Sequence, residues 1–428
     1  MGDRRIRRGD GDGRSVNGTP VVMGLRANWK PIVILVFVNG FVGTLVGVER
    51  TLVPLLGTSV FQVGSKAALL SFIATFGVVK AIANLVAGTW SETAGRRRVL
   101  LVGWVVGLPV PLLLMFAPPP HWWLVVAANA LLGVNQGLCW SMTLVLKVDL
   151  AGEGRRGLAA GLNEFAGYAS LAAAAFATGY LAAIFGPRPV PFLIGLAAAV
   201  AGLAVTATLV PETVHMVRPR GLETPAPATS LRSIGRLSFK DRRMIPLNQA
   251  GLFNNFNDGV VWGLFPILFG TVIGDPATIG FLVALYPLTW GLGQLGTGPL
   301  SDAIGRKWLI VSGLGVQALA LYIAIQAPGY ATWAASMVVL GLGTAMAYPT
   351  LLSAVGDSVA PQIRATAMGV YRFWRDLGFA VGALSAGFLA DVAGLSKAIL
   401  ATAIVTLLSG VFVAFAVHES RWAAGRAS

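Results

Sequence analysis

The feature that most constrains this 428-residue chain is its division into apolar blocks of about twenty to thirty residues. A block of about 20 residues is what a helix needs to cross roughly 30 Å of hydrocarbon. Twelve can be drawn. The first six fall at about 31–57, 67–88, 98–117, 122–147, 157–185 and 190–211, and the second six at about 246–272, 277–300, 308–327, 330–355, 363–392 and 396–417. Lipid offers the backbone no hydrogen bonds, so such blocks predict an all-α membrane protein of twelve transmembrane helices. The polar stretches set the organisation: a basic tail over 1–30, a six-helix half over 31–211, a linker over 212–245, a second half over 246–417 and a short tail over 418–428. The tail's GDGDGR run has the composition of disordered chain. The first apolar block is too long for a cleaved signal peptide.

Charge completes the class. Only 12% of residues are charged and mean hydropathy is +0.73, against about 25% charged in soluble domains. The net charge of +14 does not point to nucleic acid, because the cations are sided. With the N-terminus inside, 24 of the 32 lysines and arginines fall in the tails, the linker and the loops at 96–98, 155–156, 306–307 and 364. The opposite loops hold Lys66, Arg188 and Lys397. This asymmetry predicts cytoplasmic termini in a plasma (inner) membrane. The single cysteine, Cys139, excludes an internal disulfide.

Two internal repeats point to duplication. GTWSETAGRRRVL at 88–100 and GPLSDAIGRKWLI at 298–310 share an acid (Glu92, Asp302), a turn glycine (Gly95, Gly305) and following cations (Arg96 to Arg98, Arg306 and Lys307). A second pattern, an aspartate followed seven residues later by arginine, occurs at Asp149/Arg156 and at Asp357/Arg364. The offsets are nearly equal, as in a protein built from two similar halves.

With its paired loops and six-linker-six plan, the chain resembles the major facilitator superfamily over about 31–417. The second loop fits the family pattern closely; the first departs at Trp90 and Glu92. The resemblance implies a monomeric secondary transporter whose halves rock about a central site. It places the acid of each loop against the first turn of span 11 or span 5 of the other half, where a helix N-terminus favours negative charge. The loop cations set topology and can also meet lipid phosphates.

Charges within the blocks sharpen this. Span 11 carries Arg372, Arg375 and Asp376, and span 5 carries Glu164 at similar depth. Buried charges are costly unless paired or wet. A cytoplasmic gate is expected, with Arg372 or Arg375 near Glu92, and Glu164 near Arg306 or Lys307, when the protein is open outward. The competing reading is a static Arg372–Asp376 bridge, four residues apart on one helix face. Nearer mid-depth lie Asp258, Asn257 and Asn254 in span 7, Asn135 and Gln136 in span 4, and Lys80 in span 2. The resemblance has spans 1, 4, 7 and 10 line the pathway, which makes these the candidate substrate or proton site. Asparagine also joins helices, so each has that second reading. Glu49 and Arg50 form an outer gate or sit among the headgroups.

No GxxxxGK[ST] loop is present, so this chain does not hydrolyse ATP. An ion or proton gradient is the expected driving force for a small organic solute, amphipathic or anionic. Asp258 and Glu164 are the carboxylates able to carry a proton, since all three histidines fall outside the blocks. A drug or metabolite antiporter is the alternative. Gln136-Gly137 matches the span 4 marker of such proteins, but Gly133 stands in the arginine position and Leu162 to Tyr180 lacks their proline. A non-transporting receptor on the same fold is the alternative of another class. No HExxH or GxSxG pattern points to an enzyme, and no metal or cofactor is called for.

Overall fold

A computed structural model of the chain describes residues 24, 26–152, 155–214, 231–360 and 363–418, without the side chains of Arg156, Leu231, Pro299, Asp302 and Ala365. Most of the basic tail and the TPAPATS run therefore lie outside the described residues. The first half comprises span 1 (Trp29–Ser59), span 2 (Ser71–Ala94), span 3 (Arg96–Gly107 and Pro109–Phe116), span 4 (Trp122–Ala151), span 5 (Arg156–Phe185) and span 6 (Leu193–Leu209). The second comprises span 7 (Met244–Gly270), span 8 (Pro276–Ile304), span 9 (Arg306–Gln326), span 10 (Tyr330–Ser358), span 11 (Arg364–Ala393) and span 12 (Leu395–Ala416).

Eleven of these helices are long and apolar enough to cross a membrane. Span 7 is the exception, because Asn248, Asn254, Asn255, Asn257 and Asp258 lower its hydropathy. It tolerates them because 22 of its 27 residues are buried by protein, so it meets little lipid. Several helices outrun their apolar blocks. Span 4 continues past Lys147 and Asp149, and span 10 past Asp357, since these charges are satisfied within the protein. The linker also contains an unforeseen helix, Leu231–Phe239, held by Leu237 in the core and by the Trp374 indole donating to Ser238 Oγ at 3.0 Å.

The halves repeat one packing scheme. Span 1 packs on span 5 as span 7 packs on span 11, span 2 on span 4 as span 8 on span 10, and span 3 on span 4 as span 9 on span 10. Small residues make these contacts close: a methyl group at Gly43 would lie 2.0 Å from the Gly167 carbonyl oxygen. Across the interface, span 2 meets span 11 and span 5 meets span 8.

The halves meet unevenly. At the end opposite the basic loops, here the distal end, a methyl at Gly387 of span 11 would lie 2.8 Å from Ala67 Cα, and one at Gly179 of span 5 would lie 2.5 Å from the Pro276 carbonyl oxygen. Toward the basic end, Gly88, Gly161 and Gly296 have no described atom within 4 Å of such a methyl. The halves are thus tightly packed at the distal end and more loosely packed at the basic end, where Gly369 of span 11 still approaches Leu85 of span 2.

Each duplicated loop is one tight turn. Gly95 (φ +93°) and Gly305 (φ +99°) take a backbone conformation that costs other residues dearly, and they end one helix while starting the next. In the first half, Glu212 completes the turn. Its carboxylate accepts from the backbone N–H groups of Arg96, Arg97, Thr213 and Val214 at 3.0–3.1 Å, satisfying donors that span 3 leaves open at its N-terminus. The sequence carries a matching VPET at 210–213 and VHES at 417–420, a repeat that was there to be read; Glu419 lies outside the described residues. Replacing Glu212 by alanine is expected to destabilise the protein by about 1–3 kcal/mol, the cost of stranding such donors. Thermal unfolding in detergent measures it, and an unchanged midpoint would remove Glu212 from the structural frame.

Candidate translocation site

The loop cations meet partners within their own halves. Arg96 Nε lies 2.6 Å from Asp149 Oδ2, and Arg306 Nε donates to Asp357 Oδ2 at 2.5 Å. The two sequence repeats are thus one device: the cation of the first pairs with the acid of the second, once in each half. Glu92 is exposed, and the side chain of Asp302 is not described. Neither Arg372 nor Arg375 lies against Glu92 here, and Glu164 is bonded elsewhere than to Arg306 or Lys307. The gate pairs expected of an outward-open protein are not formed here.

The span charges assemble at the interface of the halves. Lys80 of span 2 lies 3.5 Å from Asp376 of span 11, and Asn84, one turn further along span 2, donates to the same carboxylate. Arg375 lies 3.5 Å from Asp376, donates to the Tyr168 hydroxyl of span 5 at 3.3 Å and stacks 4.1 Å from the Tyr348 ring centre. The static Arg372–Asp376 bridge is not formed: Asp376 is committed to Lys80, Asn84 and Arg375, while Arg372 is half-buried. Glu164 accepts from Trp140 Nε1 at 2.8 Å, Asn163 Nδ2 at 3.2 Å and the Tyr348 hydroxyl at 3.2 Å. The structure therefore brings Lys80, Glu164, Arg375 and Asp376 into one layer.

Aromatic rings form the surroundings of that layer. Tyr168 lies between Trp140 (5.3 Å) and Trp290 (3.7 Å), and Trp290 meets Tyr286 (5.8 Å) and Tyr348 (5.5 Å). Toward the distal end, Asp258 accepts from the Tyr286 hydroxyl. Glu49 and Arg50 are wholly buried, so the headgroup reading of them is corrected. Counting from the end of an apolar block misplaced them because span 1 is long and its distal part is enclosed by protein.

The asparagines mostly face away from this layer. Asn257 donates to Gln317 of span 9 at 2.6 Å and accepts from Thr406 of span 12 at 2.7 Å, and Gln317 donates to Asn254 at 2.9 Å. Asn135 donates to the Gly103 carbonyl of span 3 at 2.9 Å. Gln136 donates to Val42 O of span 1 and to Asn135 Oδ1, each at 3.0 Å. Asn254, Asn257 and Asn135 tie peripheral helices to central ones, while Gln136 joins two central helices, spans 4 and 1. Lys147, missed in the sequence, is buried and donates to Leu35 O of span 1 at 2.9 Å; its signal was a cation inside an otherwise apolar helix. Among the described residues no group of histidine, cysteine, aspartate and glutamate could hold a metal ion.

Two six-helix halves packed by one scheme, with opposed charges at their interface, define a two-half membrane carrier. The chain belongs to the Major Facilitator Superfamily, whose model matches residues 32–246 and 249–426, and is a transporter within it. It is 26% identical over 341 residues to an uncharacterized MFS-type transporter of Salmonella typhimurium, covering 76% of this chain and 81% of the relative. A second MFS-type transporter, from Methanocaldococcus jannaschii, is 26% identical over 133 residues, 31% of this chain and about a third (34%) of the relative's own length. The inward open conformation of the xylose transporter XylE from E. coli shares the fold, with a TM-score of 0.72 and 16% identity over 92% of this chain and 97% of that one.

Proposed function

We propose that this protein is a monomeric secondary transporter that carries a small organic solute by alternating access, coupled to protons, in a plasma membrane with its basic end in the cytoplasm. The siting of the cations supports that orientation, which makes the structure an inward-facing form. Glu164 carries the coupling. Its carboxylate is 6% exposed and takes two hydrogen bonds from its own half and one from Tyr348 of the other. When the halves rock, Tyr348 moves relative to it, so the carboxylate's company differs between states. A proton that binds the two states unequally shifts their balance.

The test is flux in proteoliposomes, with solutes selected by their stabilisation of the purified protein. An imposed pH gradient is expected to drive a selected solute above equilibration, and a protonophore to collapse the excess. Uptake that only equilibrates, with or without the gradient, would rule out coupling.

A further inference from the structure

Arg50 stands nine residues from the distal end of span 1 and is wholly buried. Its guanidinium lies 4.3 Å from the Trp262 ring centre and 5.1 Å from that of Phe76. Trp262 in turn stacks on Phe379 at 5.2 Å and 18°. None of the three Arg50 nitrogens has a hydrogen-bond partner among the described residues, and neither does Trp262 Nε1. Asp258 precedes Trp262 by four residues and so shares its helix face. Tyr286 occupies one carboxylate oxygen of Asp258, and the other, Oδ2, has no donor. Arg50 and Asp258 are within electrostatic reach of one another without being bonded. Glu49, the sequence neighbour of Arg50 about 100° round the helix, is also wholly buried with neither carboxylate oxygen bonded among the described residues, and it supplies the nearest balancing charge to Arg50.

On span 7 and against it, three buried groups thus have unmet demands: the forked Arg50 cation, the Trp262 indole donor 4.3 Å ring-to-cation from it, and the Asp258 oxygen one helix turn away, with Glu49 holding Arg50's charge from its own helix. Buried polar groups are ordinarily paired, and a forked guanidinium matches a carboxylate in geometry. A simple anion would meet Arg50 but be repelled by Asp258, and a simple cation would meet the reverse. A solute carrying both a carboxylate and an ammonium meets all three.

We propose that Arg50, Trp262 and Asp258 form the polar subsite for a zwitterionic amino-carboxylate substrate. Its carboxylate lies on Arg50 and the Trp262 N–H, its ammonium on Asp258 Oδ2, and its apolar body against the Phe76 and Phe379 rings. Phe76 belongs to one half and Trp262 and Phe379 to the other, so the rocking of the halves uncovers and covers the subsite. This assignment rests on the transporter reading above and names its substrate class.

The experiment is thermal stabilisation of the full-length purified protein by a panel of neutral α-, β- and γ-amino acids and betaines, including L-leucine and L-phenylalanine. Phenethylamine and 3-phenylpropanoate are the one-charge controls. At least one zwitterion is expected to raise the unfolding midpoint while both controls leave it unchanged. Arg50→Lys keeps the charge but not the fork, and is expected to weaken that zwitterion about tenfold or more; Asp258→Asn does the same. The midpoint of each unliganded variant verifies its folding. If a variant is unfolded, quenching of wild-type tryptophan fluorescence by the zwitterion, lost in Trp262→Phe, replaces it. No stabilisation by any zwitterion, equal stabilisation by either control, or full affinity in a folded Arg50→Lys would overturn the assignment. Zwitterion binding without gradient-driven flux would leave the subsite standing and sink the coupled-transport reading. Gradient-driven flux of a solute that is not zwitterionic, with no zwitterion bound, would do the opposite.

Discussion

Replacing Asp391 by alanine is expected to move the protein out of its distally closed form. Asp391 lies near the distal end of span 11, yet all its described hydrogen bonds go to the other half. It accepts from Ser65 Oγ at 2.6 Å, from Lys66 N at 2.5 Å and from Ala67 N at 3.0 Å. Those donors begin the short helix Lys66–Leu69 that leads into span 2, so one carboxylate caps a helix N-terminus across the interface. Hydrogen bonds to a charged group contribute about 1.5–3 kcal/mol each when buried, and much less at an exposed site such as this. Even about 2 kcal/mol in total changes the ratio of the two forms some thirtyfold. Spin labels at Gly64 and Val392, both exposed, on opposite halves and with Cys139 replaced, report the distal separation. A longer distance population should appear in Asp391→Ala. An unchanged distribution would show that apolar packing of Gly387 on Ala67 closes this end without the carboxylate.

The second large effect is expected at Glu164. Glutamine there keeps the shape, can still accept from Trp140 and Asn163 through its amide oxygen, and can donate its amide N–H to the Tyr348 hydroxyl in place of the bond it accepted from it, but it cannot ionise. Gradient-driven accumulation should fall to the level of equilibration, while exchange of labelled for unlabelled solute, which needs no net proton movement, continues. Loss of both activities would make Glu164 a structural or substrate-binding residue. Retention of both would move the proton to another group, with Asp258 the next carboxylate to replace.

The architecture was legible because the bilayer imposes a length on every apolar block, and because duplication left matching loops at nearly constant offset. Span 7 was visible in the sequence for its place in the plan, although its hydropathy is poor. What escaped was pairing. A sequence shows that Arg96 and Arg306 are cations near a helix start, but not that Asp149 and Asp357, about fifty residues later, close on them. Depth, with the family resemblance that has spans 4 and 7 line the pathway, put Asn254, Asn257 and Asn135 beside it; only the rotation of each helix shows them turned toward spans 9, 12 and 3. Conversely, Glu164, Arg372, Arg375 and Asp376 were readable as a charged set, because charge at that depth needs company; that Lys80, read as part of the central site, joins Asp376 while Arg372 does not was not readable. The burial of Arg50 was not readable, since it depends on aromatic rings contributed by two other spans, Phe76 of span 2 and Trp262 of span 7.

The unusual makeup of span 7 also bears on how the chain is put into the bilayer. Synthesis delivers it as the first segment of the second half, before span 8 exists to bond Asp258 through Tyr286 and before spans 9 and 12 exist to bond Asn254 and Asn257. A central aspartate alone opposes insertion by about 2.5–3.5 kcal/mol on translocon scales, and lipid offers its amides no partners. Span 7 is therefore expected to insert poorly by itself and to depend on later segments for its place in the bilayer. Insertion of the second half is accordingly expected to be a collective step, with a nascent chain truncated after span 7 inserting that span less completely than one that continues through span 12.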